Sequence, residues 1–106
     1  MKHASLMKKY KFLQKGVSEI LFYVWDPIGV SPDPYARDEY DDYVSQVIRK
    51  LTDGANAVEI ASHLNGIAVE MMGLGPSESA LAAAEVLVDL KRYADEMLLD
   101  SEQGNN

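Results

Sequence analysis

The sequence predicts an all-α, single-domain four-helix bundle, with a long proline-containing loop between helices 1 and 2 and with helix 4 central. Three observations predict it. Four segments repeat apolar residues at the three-to-four-residue period of a helix, and none alternates like a strand. Clusters of Pro, Gly, Asp and Asn separate those segments. The 106 residues, 47% of them apolar, suit one core and leave no room for two.

The first helix is expected over residues 5–25. Leu6, Tyr10, Leu13, Val17, Ile20 and Val24 follow one another at steps of 4-3-4-3-4 and form its inner stripe. Phe12, Phe22 and Tyr23 fall off that stripe. They predict a second contact, either with the loop folding back over at least one of them or with a second copy in a homodimer. Asp26 and Pro27 end the helix, because the residue before a proline avoids helical angles. Residues 26–35 hold three prolines and Gly29, so they form a stiff irregular connection. Ile28 and Val30 within it are expected to plug onto the core.

The second helix is expected over residues 36–51, with Tyr40, Val44, Val47, Ile48 and Leu51 facing inward. Gly54 suits the left-handed position that follows a helix. Asn56 and Glu59 have the spacing of a capping box and open the third helix, residues 57–72. Ile60, Leu64, Ile67 and Met71 share its inner face, and Gly73 to Pro76 stop it. The fourth helix is expected over residues 77–99. Its apolar positions, among them Leu81, Ala83, Ala84, Val86, Leu87, Leu90, Ala94, Met97 and Leu98, cover more than half the wheel, so it should pack on more than one side. Lys91 and Asp95, four apart, are expected to pair. Residues 1–99 form the domain, and the polar residues 100–106 are expected as a flexible tail.

Composition narrows the function. The absence of cysteine excludes disulfides, thiolate nucleophiles and cysteine-bound zinc, and fits a reducing cytoplasm. No apolar run approaches the ~20 residues of a membrane span, and the short run at residues 20–25 leads into Asp26-Pro27 rather than a cleavage site. The net charge of −7 repels nucleic acid and favours a basic protein partner. That charge is uneven. Residues 1–18 hold five lysines and no acid, whereas residues 26–42 hold six acids against Arg37 alone. The lysine-rich helix is read as a solvated face rather than a membrane anchor.

The most unusual stretch is the acidic, tyrosine-rich segment 33–43. Acids at a helix start are favoured by its dipole, which is a sufficient reason for them. The alternative is an interaction face made by Asp38, Glu39, Asp42 and Tyr43, with Tyr35 beside them, because tyrosines among carboxylates can anchor a basic partner. The segment lacks the glycine-centred calcium loop, and no nucleophile or phosphate loop accompanies it. On helix three, Glu59, His63 and Glu70 align at i, i+4 and i+11 with Gly66 between them. A metal-dependent enzyme would need that line plus ligands from another helix. A solvated face carrying one histidine is the simpler reading.

The string W-D-P-I-G at residues 25–29, followed by D-E-Y-D at residues 38–41, resembles a group of small acidic bacterial proteins of unknown function. In that group a helix ends in W-D-P-I-G and the next helix opens with D-E-Y-D. Ile60-Ala61 and the Met72-Gly73-Leu74 segment are similar too, so the resemblance spans roughly residues 17–90 and leaves the basic N-terminal stretch outside. It implies a compact helical fold and a cytoplasmic bacterial protein, and it implies no reaction. Size and charge also resemble those of immunity proteins that neutralise toxins, a likeness of character rather than of motif. The string itself has a physical reading. Trp25 anchors the helix exit, Asp26 accepts hydrogen bonds from turn amides, Pro27 fixes the direction, and Gly29 permits a backbone angle other residues avoid. The resulting expectation is a non-enzymatic, immunity- or antitoxin-like module with no catalytic residue, cofactor or metal. A metal enzyme using His63, Glu59 and Glu70, or a homo-oligomeric structural protein joined through helix one, are the alternatives.

Overall fold

A long first helix, α1 (Lys2–Ile20), runs without a break into a wider π-helical turn, Leu21–Trp25, in this computed structural model. The structure describes residues 2–29, 31 and 33–99. The expectations for Val30, Leu98's side chain and the tail 100–106 lie outside the described residues. The π turn is closed by the Asp26 N–H donating to the Leu21 carbonyl at 3.0 Å, a bond of one residue more than the α pattern.

That extra residue rewrites the inner stripe. The buried line runs Leu13, Val17, Leu21, Trp25, at steps of four, and Phe22 is buried beside it. Of the expected stripe, Leu13 and Val17 are buried and Ile20 is half-buried, while Val24 turns outward. Phe22, expected off the stripe, is therefore core. Leu6 and Tyr10, also expected in the stripe, are exposed, with Tyr10 at the edge of a groove lined by α2 residues.

The second helix begins later than its sequence predicts. α2 is Val44–Thr52, and residues 34–43 instead form two single 3₁₀ turns, Pro34–Ala36 and Asp41–Tyr43, joined by tight turns. Asp side chains compete with the helix backbone, and Asp38 and Asp42 would repel each other one turn apart in an α-helix. The predicted inner residues Tyr40, Val44, Val47, Ile48 and Leu51 are all buried nonetheless.

α3 (Ala57–Met72) has the predicted bounds. Asn56 Oδ1 accepts from the Glu59 N–H, and Glu59 Oε1 accepts from the Asn56 N–H, both at 2.9 Å. Gly54 (φ 91°) and Gly73 (φ 69°) occupy left-handed positions after α2 and α3, where a side chain would be strained. Met71, expected inside, is 69% exposed, and Met72 is half-buried in its place. α4 (Ser79–Tyr93) starts two residues later than expected and continues into a second π turn, Ala94–Leu99.

α4 touches each of the other three helices and the first π turn, which is what makes it central. Its buried face is mostly small: Ala80, Ala83, Ala84, Leu87 and Ala94. Small residues let helices approach closely, and Gly16 of α1 lies so near Leu90 that a Cβ there would stand 2.7 Å from Leu90 Cδ2. Leu81, Val86 and Met97, counted in its apolar arc, are exposed, so the arc is wider than the face that neighbours cover. Lys91 pairs with Asp95 at 2.6 Å as its spacing predicts, and Lys9 of α1 joins the same carboxylate. Burial pushes the Asp95 carboxyl up, but hydrogen bonds from the two lysines outweigh it and hold it below its usual range. Among the described residues no strand occurs, and no helix is long and apolar enough to cross a membrane.

Candidate interaction surface

The site begins with the corner after Trp25. Asp26 takes a left-handed backbone angle (φ 35°), which is uncommon outside glycine and tolerated by Asp. Gly29 (φ 79°) then turns the chain back, and its N–H donates to the Asp26 carbonyl at 3.1 Å. The Asp26 carboxylate binds both ends of the connection. Oδ2 accepts from the Ser31 N–H at 3.0 Å, and Oδ1 accepts from the Tyr40 hydroxyl at 2.7 Å. The same hydroxyl accepts from the Ile28 N–H at 3.0 Å, which leaves the Ile28 side chain exposed rather than plugged into the core.

Trp25 supports this corner from below. It is buried, with its ring 5.3 Å from Tyr40 and 6.4 Å from Tyr43. Its carbonyl accepts from Ser79 Oγ at 2.7 Å, which ties the corner to the start of α4. Burial, and then the bond to Asp26, push the Tyr40 phenol well above its ordinary value of 10.0, against the opposing pull of the Ile28 N–H. Tyr40 therefore stays neutral and keeps donating to Asp26.

With Tyr40 held, segment 33–43 has a defined course over the surface. Asp33 Oδ1 accepts from the Tyr35 N–H at 3.0 Å and opens the first 3₁₀ turn, where Pro34 is suited to the first helical position. Tyr35 is 95% exposed. Arg37 lies back over the rings of Phe22 (5.3 Å) and Tyr23 (5.5 Å), and donates to Ser18 Oγ at 3.1 Å. Ser18 in turn donates to Asp41 Oδ1 at 2.7 Å. Phe22 and Tyr23 are thus covered by Arg37, a residue expected in the second helix and not in the loop 26–35. Phe12 finds its partner elsewhere, on Tyr93 at 5.8 Å.

The expected face residues separate in position. Tyr35, Asp38, Glu39 and Asp42 are exposed, whereas Tyr43 is half-buried with its ring edge on Trp25. Asp38 and Asp42 belong to different turns and not to one helical face. Arg37, Ser18 and Asp41, which fasten the segment to α1, were not singled out by the sequence. No short-range pattern points to contacts across nineteen and twenty-three positions.

The line on α3 is differently occupied. Glu59 is engaged in the capping box. His63 is half-buried beside a groove shared with Tyr10, Ile48, Lys50 and Thr52, and burial, then Lys50, lower its pKa below 6.5. Glu70 lines a smaller cleft with His63, Gly66 and Met71. Gly66 faces open space, and no backbone approaches it closely. Among the described residues no group of three or more acidic or histidine side chains is placed to hold a metal ion. Comparison with protein-family models, with curated proteins and with solved structures finds no match.

Proposed function

We propose that the chain is a small protein-binding module that takes a basic partner on segment 33–43, in the manner of an immunity or antitoxin-like protein of the bacterial cytoplasm, and that it has no reaction of its own. One observation carries this reading. Tyr35 stands almost wholly in solvent on a backbone fixed at one side by the Asp33 cap and at the other by the Tyr40–Asp26 bond. A tyrosine on an ordered turn offers large contact area at little entropic cost to binding. The exposed carboxylates of Asp38, Glu39 and Asp42 in the same segment supply the field that steers a cationic surface toward it.

The test is to place a photo-crosslinking amino acid at Tyr35 and irradiate living cells that carry the chain. The expected result is one discrete basic protein. The purified pair should bind, and Asp38→Lys with Asp42→Lys should weaken it at least about tenfold. Both positions are exposed, so the double variant should keep its stability within about 0.5 kcal/mol per site. Failure to capture any protein, or equal affinity after charge reversal, would remove the reading.

A further inference from the structure

The seam between α1 and α4 is flanked by cations on one helix and acids on the other. Lys8, Phe12, Lys15 and Glu19 follow one another at steps of four, three and four, which places them on one line of α1. Val86, Asp89, Tyr93 and Glu96 follow at steps of three, four and three and form one line of α4 and its π turn. The Phe12 and Tyr93 rings meet at 5.8 Å, so the two lines border the same seam. Three further contacts set their levels along the antiparallel pair: Lys9 with Asp95, Gly16 against Leu90, and the Trp25 carbonyl with Ser79. Lys8 therefore stands level with Glu96, and Lys15 with Asp89, each within about one helical rise of ~1.5 Å. Lys8, Lys15 and Glu96 are exposed and make no ion pair among the described residues, while Asp89 is paired with Arg92 of its own helix. The floor between the two lines is apolar. Phe12, Ile20 and Leu90 are half-buried, Val86 and Tyr93 are exposed, and a cleft of about 450 Å³ opens along Ile20, Val86, Leu90 and Tyr93.

Such a face is complementary to a copy of itself. A two-fold axis laid over the seam and parallel to the helices keeps every residue at its own level and exchanges the two sides, so α1 of one copy lies on α4 of the other. Lys8 then meets Glu96 of the other copy, Phe12 meets Tyr93, and Lys15 meets Asp89 beside its Arg92. A two-fold axis crossing the helices at right angles would instead lay α1 on α1 and set lysines against lysines. Charge thus selects both the occupant and its direction. We infer that the α1–α4 seam is a contact surface for a second copy of this chain, docked with α1 of each copy on α4 of the other about a two-fold axis parallel to the helices. None of the residues of segment 33–43 takes part, so the inference is independent of the reading of that segment. The face from Lys8 to Ile20 is about 18 Å long and two helices, about 20 Å, wide. That is about half of the ~800 Å² per partner of a stable interface. With a net charge of −7 on each copy opposing approach, the dimer is weak and concentration-dependent.

Sedimentation equilibrium of the full chain up to sub-millimolar concentration tests it. A monomer–dimer equilibrium is expected. Lys8→Glu sets two glutamates against each other at both ends of the contact and should weaken it at least about tenfold, and Glu96→Lys, which sets two lysines there, should do the same. A mixture of the two variants should form a heterodimer about as strong as the natural dimer, because each reversed charge then meets its opposite on the other chain. Restoration by mixing separates a contact between copies from any effect within one chain. Arg49→Glu, an exposed reversal on α2 with the same change of net charge, should leave the equilibrium within about twofold. Lys8, Arg49 and Glu96 are all exposed, so each variant should remain folded, as circular dichroism checks. A chain that stays monomeric throughout, a dimer indifferent to Lys8→Glu, equal weakening by Arg49→Glu, or a mixture no stronger than its components overturns the inference.

Discussion

Two connections between helices solve the same problem in opposite ways. Residues 53–56 join α2 to α3 by local means: the Asp53, Gly54 and Ala55 N–H groups return to carbonyls of α2, and the capping box closes the other side. Residues 26–43 join α1 to α2 by distant means. Their order comes from a carboxylate at 26 and a phenol at 40 and from a serine at 18 on the preceding helix, while a serine at 79 on the last helix holds the Trp25 carbonyl just before them. A short turn can be satisfied by its own backbone. A long one must borrow side chains, and those side chains then hold a surface in place.

The comparison makes its strongest claim at Tyr40. Tyr40→Phe keeps the buried ring but removes the hydroxyl that serves both Asp26 and the Ile28 N–H. Leaving such groups unsatisfied should cost about 1–3 kcal/mol, read from urea unfolding. Amide hydrogen exchange should rise at Ile28 and Ser31 while α3 is unchanged. Uniform loss of protection in both connections would break the contrast.

A pH titration sharpens the same point. The folded pKa of Tyr40 lies above its unfolded value near 10.0, so the neutral phenol is favoured by folding. Its contribution is fully present below that value and is lost as pH rises beyond it, because the unfolded chain then releases the proton first. Stability should fall above pH 10 in the natural chain, and Tyr40→Phe should flatten that part of the curve. The smaller effect belongs to the local connection. Asn56→Ala should cost about 1 kcal/mol and leave the exchange of residues 26–31 untouched.

How much was legible follows from the same contrast. The bounds of α3 could be read because Asn56, Glu59 and Gly73 act within a turn of where they stand. The inner residues of the second helix could be read too, since Tyr40, Val44, Val47, Ile48 and Leu51 are apolar and correctly spaced. Their helix did not extend back to residue 36, because Tyr40 is fastened to Asp26 and Asp33 caps its own turn. The stripe of α1 failed at its C-terminal end for a related reason. A π turn changes the period from within, and Ile20, Leu21, Phe22 and Val24 are all apolar, so composition cannot say which of them faces inward. In the candidate surface, the acids and Tyr35 were visible as residue types, while the latch that orders them was seen only as the expectation that Asp26 accepts turn amides.

What the sequence by itself determined was the number of helices, the stops between them, the charge division between residues 1–18 and 26–42, and the capping of α3. These depend on periodicity, charge and bonds that close within one turn. Only the tertiary structure decided that Phe22 is core, that residues 34–43 are 3₁₀ turns, and that Tyr40, Asp26, Arg37 and Ser18 pin an exposed Tyr35 above them. Those outcomes depend on contacts across fourteen to nineteen positions, whose partners are brought together by the burial of Trp25 and not by their spacing along the chain.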